Sequence, residues 1–297
     1  MTVGVLAMAY GTPATPDDVV AYYTHIRRGR PPTTDQLADL QRRYDAIGGV
    51  SPLRQITRAQ CARLASFLGP GFVVALGQKH SAPFIEEGAE ELAAAGVESI
   101  VGLVLAPHYS AFSVGQYAAR LLSAATERRL RASTVDSWHL MPGYLTFIGA
   151  QVQRTLDVMP AGAEVVFTAH SLPQRITATG DAYPAQVRET AETVATRRSL
   201  ERWSTGWQSA GRTQEPWLGP DILDVVRGRA EAGSPGLVVC ACGFTADHLE
   251  ILYDLDIEAR ELSDQLGLPF ARTASINDDS VVFRGLADVV RHEAATL

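Results

Sequence analysis

Short apolar runs rich in Val, Ala and Leu alternate along the chain with longer stretches of helical periodicity. In the first half the runs are Val3 to Ala9, Phe72 to Leu76, Ile100 to Ala106 and the alternating Ser133 to Trp138. In the second they are Val165 to Ala169, Trp203 to Trp207, Leu237 to Cys242 and Phe270 to Ala274. Runs that stay apolar without alternating are strands buried on both faces, and strands interleaved with helices imply parallel sheets. The expected fold class is α/β: two similar lobes, each a four-stranded parallel sheet flanked by helices, over residues 1–142 and 143–297.

The two halves also match in their turns. The first strand of each ends in a polar turn, Tyr10-Gly11-Thr12-Pro13 and His170-Ser171-Leu172-Pro173. The third ends in another, Ala106-Pro107-His108-Tyr109-Ser110 and Gly243 to His248. Ligands of open parallel sheets sit outside the carboxyl ends of the strands, so these four turns are expected to face one another across a cleft between the lobes. The first two strands start about 65 residues apart in the first half and about 40 in the second. The excess lies in residues 22–53, which carry Arg27, Arg28, Arg30, Arg42 and Arg43 beside Tyr22, Tyr23 and Tyr44. This segment reads either as a solvated helical hairpin or as a cover that offers guanidinium groups to a ligand bearing carboxylates or phosphates.

With 297 residues, 46% hydrophobic and 20% charged, the chain has the balance of a globular protein of two domains or one large unit. Lys plus Arg number 26 against 33 Asp plus Glu, and a formal charge of −7 gives no electrostatic support to a nucleic-acid or anionic-membrane partner. Only Lys79 among the basic residues is a lysine, a skew that reads as genome composition and lowers the weight of any Arg cluster. No apolar run approaches a membrane span and MTVGVLAMAYGTP lacks a signal-peptide pattern, so a cytoplasmic protein is expected. Cys61, Cys240 and Cys242 cannot build a disulfide framework, and Cys240 and Cys242 read as small core residues of one strand.

Candidate chemistry is concentrated in two places. His170 ends a strand, where an imidazole serves as base, metal ligand or hydrogen-bonded structural group; position alone does not decide, and the same holds for His108. In the stretch Asp247 to Glu258, a helix would stack Glu250, Asp254 and Glu258 at i, i+4 and i+8, with no basic residue until Arg260. Such a column suits a hydrated divalent cation, a carboxylate of raised pKa, or merely an acidic solvated face. The chain lacks a G-x-G-x-x-G after its first strand, a Walker A sequence and a G-x-S-x-G elbow, which leaves nucleotide cofactors and an α/β-hydrolase triad unsupported.

At these residues the chain resembles the ferrochelatase family. The resemblance is carried, in order, by Ala9 to Pro13, Tyr44 to Leu53, Gly77 to His80, Leu105 to Ser110, Ala169 to Pro173, Gly206 to Ser209, Pro216 to Pro220 and Asp247 to Glu250. It implies insertion of Fe²⁺ into a porphyrin bound between two α/β lobes. It makes His170 and Glu250 the facing pair at the metallation site, and adds Asp254 and Glu258 as an outer divalent-cation site next to Glu250. Tyr10 matches the tyrosine beneath the porphyrin in the soluble bacterial branch that uses coproporphyrin III, while Arg27, Arg43, Tyr44, Ser51 and Tyr117 match positions that hold propionates or line the pocket. Ferrous iron is then a substrate, and no resident cofactor is implied. Some actinobacterial relatives carry a [2Fe–2S] cluster on cysteines near the C-terminus, but Phe270 to Leu297 has none, so no cluster is expected. Membrane association is disfavoured, and a monomer in transient contact with neighbouring haem-pathway enzymes is expected. Two rival readings are a chelatase for another metal or tetrapyrrole and a non-catalytic tetrapyrrole carrier.

Overall fold

The protein is described here from a computed structural model covering residues 2–211 and 213–297. The eight strands are β1 (Val3–Ala9), β2 (Phe72–Gln78), β3 (Ser99–Val104), β4 (Arg131–Val135), β5 (Glu164–His170), β6 (Trp203–Gln208), β7 (Leu237–Cys240) and β8 (Phe270–Arg272). They form two all-parallel sheets, in the orders β2-β1-β3-β4 and β6-β5-β7-β8. In each sheet the chain steps to one side of its first strand and then crosses to the other, so the switch point lies between β1 and β3 and again between β5 and β7. Strands β1, β3, β5 and β7 are the inner ones; β3 and β7 are buried at every position, which accounts for their unalternating sequences.

The helices are α1 (Val19–Ile26), α2 (Thr34–Ala46), α3 (Leu53–Leu68), α4 (Ile85–Ala94), α5 (Val114–Glu127), α6 (Pro142–Leu156), α7 (Tyr183–Arg198), α8 (Ile222–Glu231), α9 (Leu249–Leu252), α10 (Arg260–Gln265) and α11 (Ser280–Ala294). Residues 22–53 are indeed largely helical: α1 and α2 form the hairpin, and α2 opens with a capping box in which Thr33 accepts from the Gln36 amide at 3.3 Å and Gln36 accepts from the Thr33 amide at 3.0 Å. Leu6, Ile85, Leu92, Ile100 and Leu121 fill one core between the first sheet and α4–α5. Val166, Val226, Val239, Ile251 and Leu255 fill another beneath α8 and α9.

Several boundaries differ from the sequence expectation. The last strand of the first sheet runs over Arg131–Val135 rather than 133–138, because Trp138 turns inward to pack on Tyr144 and donates its indole N–H to the Val104 carbonyl at 3.1 Å. Strand β7 stops at Cys240, so Cys240 and Cys242 do not share a strand, though both are fully buried. The division after residue 142 separates the sheets but not the core. Helix α11, at the end of the second segment, packs on α3, β3 and β4 of the first lobe as well as on α6. Phe283, Leu286 and Val290 on its inner face join Leu64, Leu103, Tyr144 and Phe167 in one cluster shared by both lobes. Truncating a buried Phe of this kind to Ala costs about 3–5 kcal/mol, so the lobes are bound into one body.

Candidate active site

His170 is the last residue of β5, and its ring is fixed from two sides. Its Nδ1–H donates to the Ser171 carbonyl, and the Tyr183 hydroxyl donates to its own carbonyl at 3.0 Å. That leaves Nε2 facing Glu250, whose Oε1 lies 3.7 Å away. Both side chains are about one-third exposed, at the mouth of the cleft.

Glu250 reaches this position through β7 and the turn that follows it. A Cβ at Gly243 would come within 2.7 Å of the Ala169 Cα, so only glycine lets this turn pass over the end of β5. The turn is held by Asp247, which accepts from Ser275 at 2.7 Å and from Asn277 at 3.0 Å. His248 donates from Nδ1 to the Ala246 carbonyl at 2.9 Å and places Nε2 3.5 Å from Glu250 Oε2. Both imidazole nitrogens thus face oxygen acceptors, an arrangement that favours the protonated ring: burial works against the charge, but the Glu250 hydrogen bond and its charge raise the His248 pKa. Burial likewise opposes ionisation of Glu250, yet His170, His248 and Arg43 hold its carboxyl down at about 2.

The carboxylate column is built differently from a regular helix. After α9 the chain widens into a π-helical turn, Asp254–Ala259, before α10 resumes. Asp254 is buried, accepts from Ser209 Oγ at 2.5 Å, and pairs with Arg43 Nη1 at 3.4 Å. A basic residue therefore does offset the column, supplied from α2 across 211 residues of sequence. Burial and the Glu250 charge push the Asp254 carboxyl up to about 7, against the Ser209 hydrogen bond and Arg43. The raised pKa belongs to Asp254 and not to Glu250. Among the described residues no three His, Cys, Asp or Glu side chains form a metal-binding group, while Asp254 lies near enough to Glu250 and Glu258 for both charges to raise its pKa.

The aromatic positions converge on the same charge. Burial raises the pKa values of Tyr44 and Tyr117, Tyr44 to about 12, and Tyr10, Tyr44 and Tyr117 all lie near enough to Glu250 for its charge to push them up. Tyr44 and Tyr117 are buried, whereas Tyr10 is 43% exposed and rests against the His80 ring at 4.6 Å. Tyr44 meets Thr12 at 3.3 Å, and Tyr22 donates to the Gly11 carbonyl at 3.0 Å, so the α1–α2 cover is seated on the β1 turn. Lys79 donates to Gln116 at 2.7 Å above the Tyr117 ring, where burial and Arg120 lower its pKa to about 8. Arg27, at the end of α1, donates to the Arg30 carbonyl at 3.3 Å and lies over Tyr23. Arg43 is held by Asp39 at 3.2 Å as well as Asp254, and packs on the Tyr253 ring. Ser51 is buried and accepts from the Leu53 amide at 3.2 Å.

Two contributors were not singled out from the sequence. His248 is the second imidazole on Glu250. Gln208, fully buried at the end of β6, accepts from Thr168 at 3.0 Å and donates to the Glu250 carbonyl at 2.8 Å, clamping α9 to the sheet. Their sequence signals are position, beyond the carboxyl ends of β6 and β7 where the cleft opens, and their places inside the stretches Gly206 to Ser209 and Asp247 to Glu250 that carry the family resemblance. His108, by contrast, lies in the interface between lobes: its Nε2 meets Thr190 at 2.9 Å, the neighbouring Tyr109 amide donates to Gln186 at 2.7 Å, and the Ser110 hydroxyl and the Ala111 amide both donate to Asp181 at 2.9 Å.

Two parallel four-stranded lobes, with their switch points facing one cleft, make the fold that of the chelatases. The sirohydrochlorin chelatase SirB from Bacillus subtilis subspecies spizizenii, solved with cobalt, matches at a TM-score of 0.58 and 13% identity, over 99% of this chain and 96% of that one. CbiX, described as the terminal enzyme of sirohaem biosynthesis in denitrifying bacteria, matches at 0.57 and 16%, over 97% and 98% of the two chains. Within that class the sequence is decisive: the ferrochelatase family model matches residues 2–294, and the chain belongs to the ferrochelatase family. It is 43% identical to the coproporphyrin III ferrochelatase of Geobacillus thermodenitrificans, over 97% of this chain and 95% of that protein. It is 41% identical to the enzyme of the same name from Halalkalibacterium halodurans, over 99% and 97%.

Proposed function

We propose that the chain inserts ferrous iron into a porphyrin, with coproporphyrin III as the substrate, in haem biosynthesis. The observation that carries the reading is His170 Nε2 facing the ionised Glu250 at 3.7 Å, with Tyr10, Tyr44 and Tyr117 of the other lobe near enough to feel the same charge. A free-base porphyrin must lose two N–H protons as the metal enters; His170, as a neutral imidazole near neutral pH, takes one at a time and, being about one-third exposed, passes the first to solvent before it takes the second. Glu250, ionised far below neutrality, is the wrong group to keep a proton. Its role is to attract the divalent ion, replace part of its water shell and balance the charge that His170 acquires. Ordered phenol and hydroxyl walls hold the macrocycle against this pair.

The assignment of coproporphyrin III rests on the relatives' names and on Tyr10 at the end of β1. The reading assigns no iron–sulfur cluster, since Cys240 and Cys242 stand in the shared core and Cys61 lies on α3. No helix among the described residues is long and apolar enough to cross a bilayer. The test is anaerobic mixing of the protein with Fe²⁺ and coproporphyrin III or protoporphyrin IX, followed through the Soret band. Metallation with a higher kcat/KM for coproporphyrin III is expected. Equal or reversed preference overturns the coproporphyrin assignment, and no Soret change with either porphyrin overturns the chelatase reading.

A further inference from the structure

Beside the cleft, where α2 gives way to α3, a cavity of about 580 Å³ is lined by Pro13, Val50, Ser51, Leu252 and the side chains of Arg54 and Arg58. Its walls connect with the site already described. Pro13 follows Tyr10 in the β1 turn, and Leu252 follows Glu250 on α9. Arg54 and Arg58 stand at i and i+4 on α3, so both guanidinium groups serve one face of the helix.

The arginines along this wall differ in one respect. Arg42 is held by Asp39 at 2.7 Å and by the Tyr253 hydroxyl at 2.6 Å; Arg43 by Asp39 and Asp254; Arg63 by Asp278 at 3.0 Å. Among the described residues Arg54 and Arg58 have no ion pair or hydrogen bond to a side chain, and no carboxylate lines their cavity. Two unneutralised guanidinium groups over an apolar floor fit an anion carried on a short apolar stem.

Resting on the proposed ferrochelatase activity, we propose that this cavity is a carboxylate subsite in which Arg54 and Arg58 hold a peripheral propionate of the tetrapyrrole, its methylenes lying on Pro13, Val50 and Leu252. The inference moves part of the carboxylate recognition away from Arg43, whose charge is already balanced by two aspartates, and onto α3. Four propionates on coproporphyrin III need more cationic partners than two on protoporphyrin IX, and this pair supplies one.

The test is fluorescence titration of the intact protein with metal-free coproporphyrin III, at low and high salt, for the wild type, the double variant Arg54→Gln/Arg58→Gln and the double variant Arg54→Lys/Arg58→Lys. The glutamine variant is expected to bind roughly tenfold or more weakly, with a shallower salt dependence and a parallel rise in KM. The lysine variant, which keeps charge but not the planar fork, is expected between the two. Glutamine-variant affinity within twofold of a wild type that binds and metallates coproporphyrin III overturns the subsite alone. A wild type that neither binds nor metallates it overturns the functional reading, and the subsite with it.

Discussion

The two lobes share strand order and turn positions, yet the carboxyl ends of their sheets carry different chemistry. Outside β1 and β3 stand phenols, hydroxyls and a histidine sealed into the interface; outside β5 and β7 stand two imidazoles and two carboxylates. His108 and His248 lie in equivalent turns, after the third strand of each lobe, and their pKa values move in opposite directions. Burial, with the His139 imidazole beside it, lowers His108 to about 3; Thr190 is its hydrogen-bond partner and its Nδ1 has none among the described residues. His248 also suffers burial, but the Glu250 carboxylate outweighs it and raises the pKa. A single carboxylate decides whether a buried histidine is an inert packing group or part of a charged site. One lobe therefore acts as the wall against which a flat ligand is held, and the other as the face that handles protons and metal.

The sharpest expression of this asymmetry is His170. His170→Ala is expected to lower kcat for iron insertion by roughly 100-fold or more, the scale of a lost general base, with porphyrin affinity within a fewfold of wild type. Stopped-flow absorbance under anaerobic conditions separates the two quantities. Near-native turnover would return His170 to a structural role and leave the second lobe without a base.

Gln208 tests how the second lobe positions its carboxylate. It touches the Glu250 backbone and not the cleft, so Gln208→Leu is expected to lower kcat about tenfold through displacement of α9 while leaving KM for the porphyrin near its wild-type value. A proportional rise in KM would mean that the clamp shapes the porphyrin pocket instead.

The same asymmetry explains what could be read from the sequence. The inner strands were visible because they are continuously apolar, whereas the edge strand β4 is not and its bounds were displaced; the cleft followed from the strand ends. His170 and Glu250 were legible as a strand-end imidazole and a carboxylate beyond the third strand of its lobe. The balance of charge around them was not, since it is set by contacts distant in sequence: Arg43 reaches Asp254 from α2, and Gln208 reaches Glu250 from β6. The π-helical turn at Asp254 was hidden for a similar reason, because the i, i+4 spacing of the carboxylates fits an ordinary helix and nothing local marks the widening. Helix α11 reads as a terminal helix of the second lobe, and only packing reveals its return to the first.

His108 provides the counterpart to His170. His108→Phe keeps a ring in the interface but removes the Thr190 hydrogen bond, so a loss of about 1 kcal/mol is expected at pH 8, with iron insertion within twofold of wild type. The folded-state pKa of about 3 lies below the ordinary value of 6.5, so between these values the unfolded chain takes up a proton that the folded one refuses. Wild-type stability therefore falls as pH drops through 6.5, and the deficit of the variant should shrink from pH 8 to pH 4. Thermal unfolding across that range checks it; a deficit that grows on acidification would mean that His108 is protonated in the folded state.

Asp254 isolates the cost of crowding carboxylates in one lobe. Its pKa stands at about 7 against an ordinary 3.8, raised by burial and by Glu250 despite Arg43 and Ser209. Between those values the folded protein keeps a proton that the unfolded chain has released. This group's contribution is thus most favourable near pH 4, declines as pH rises toward 7 and is level above it. Asp254→Asn keeps the shape and an acceptor for Ser209 but removes the titration. The Tm of the variant minus that of the wild type should therefore climb by a few degrees from pH 4 to pH 7 and then flatten. A difference independent of pH would show that the carboxylate is ionised throughout, stabilised by Arg43 more than it is opposed by Glu250, and the second lobe would then hold two full negative charges facing its imidazoles.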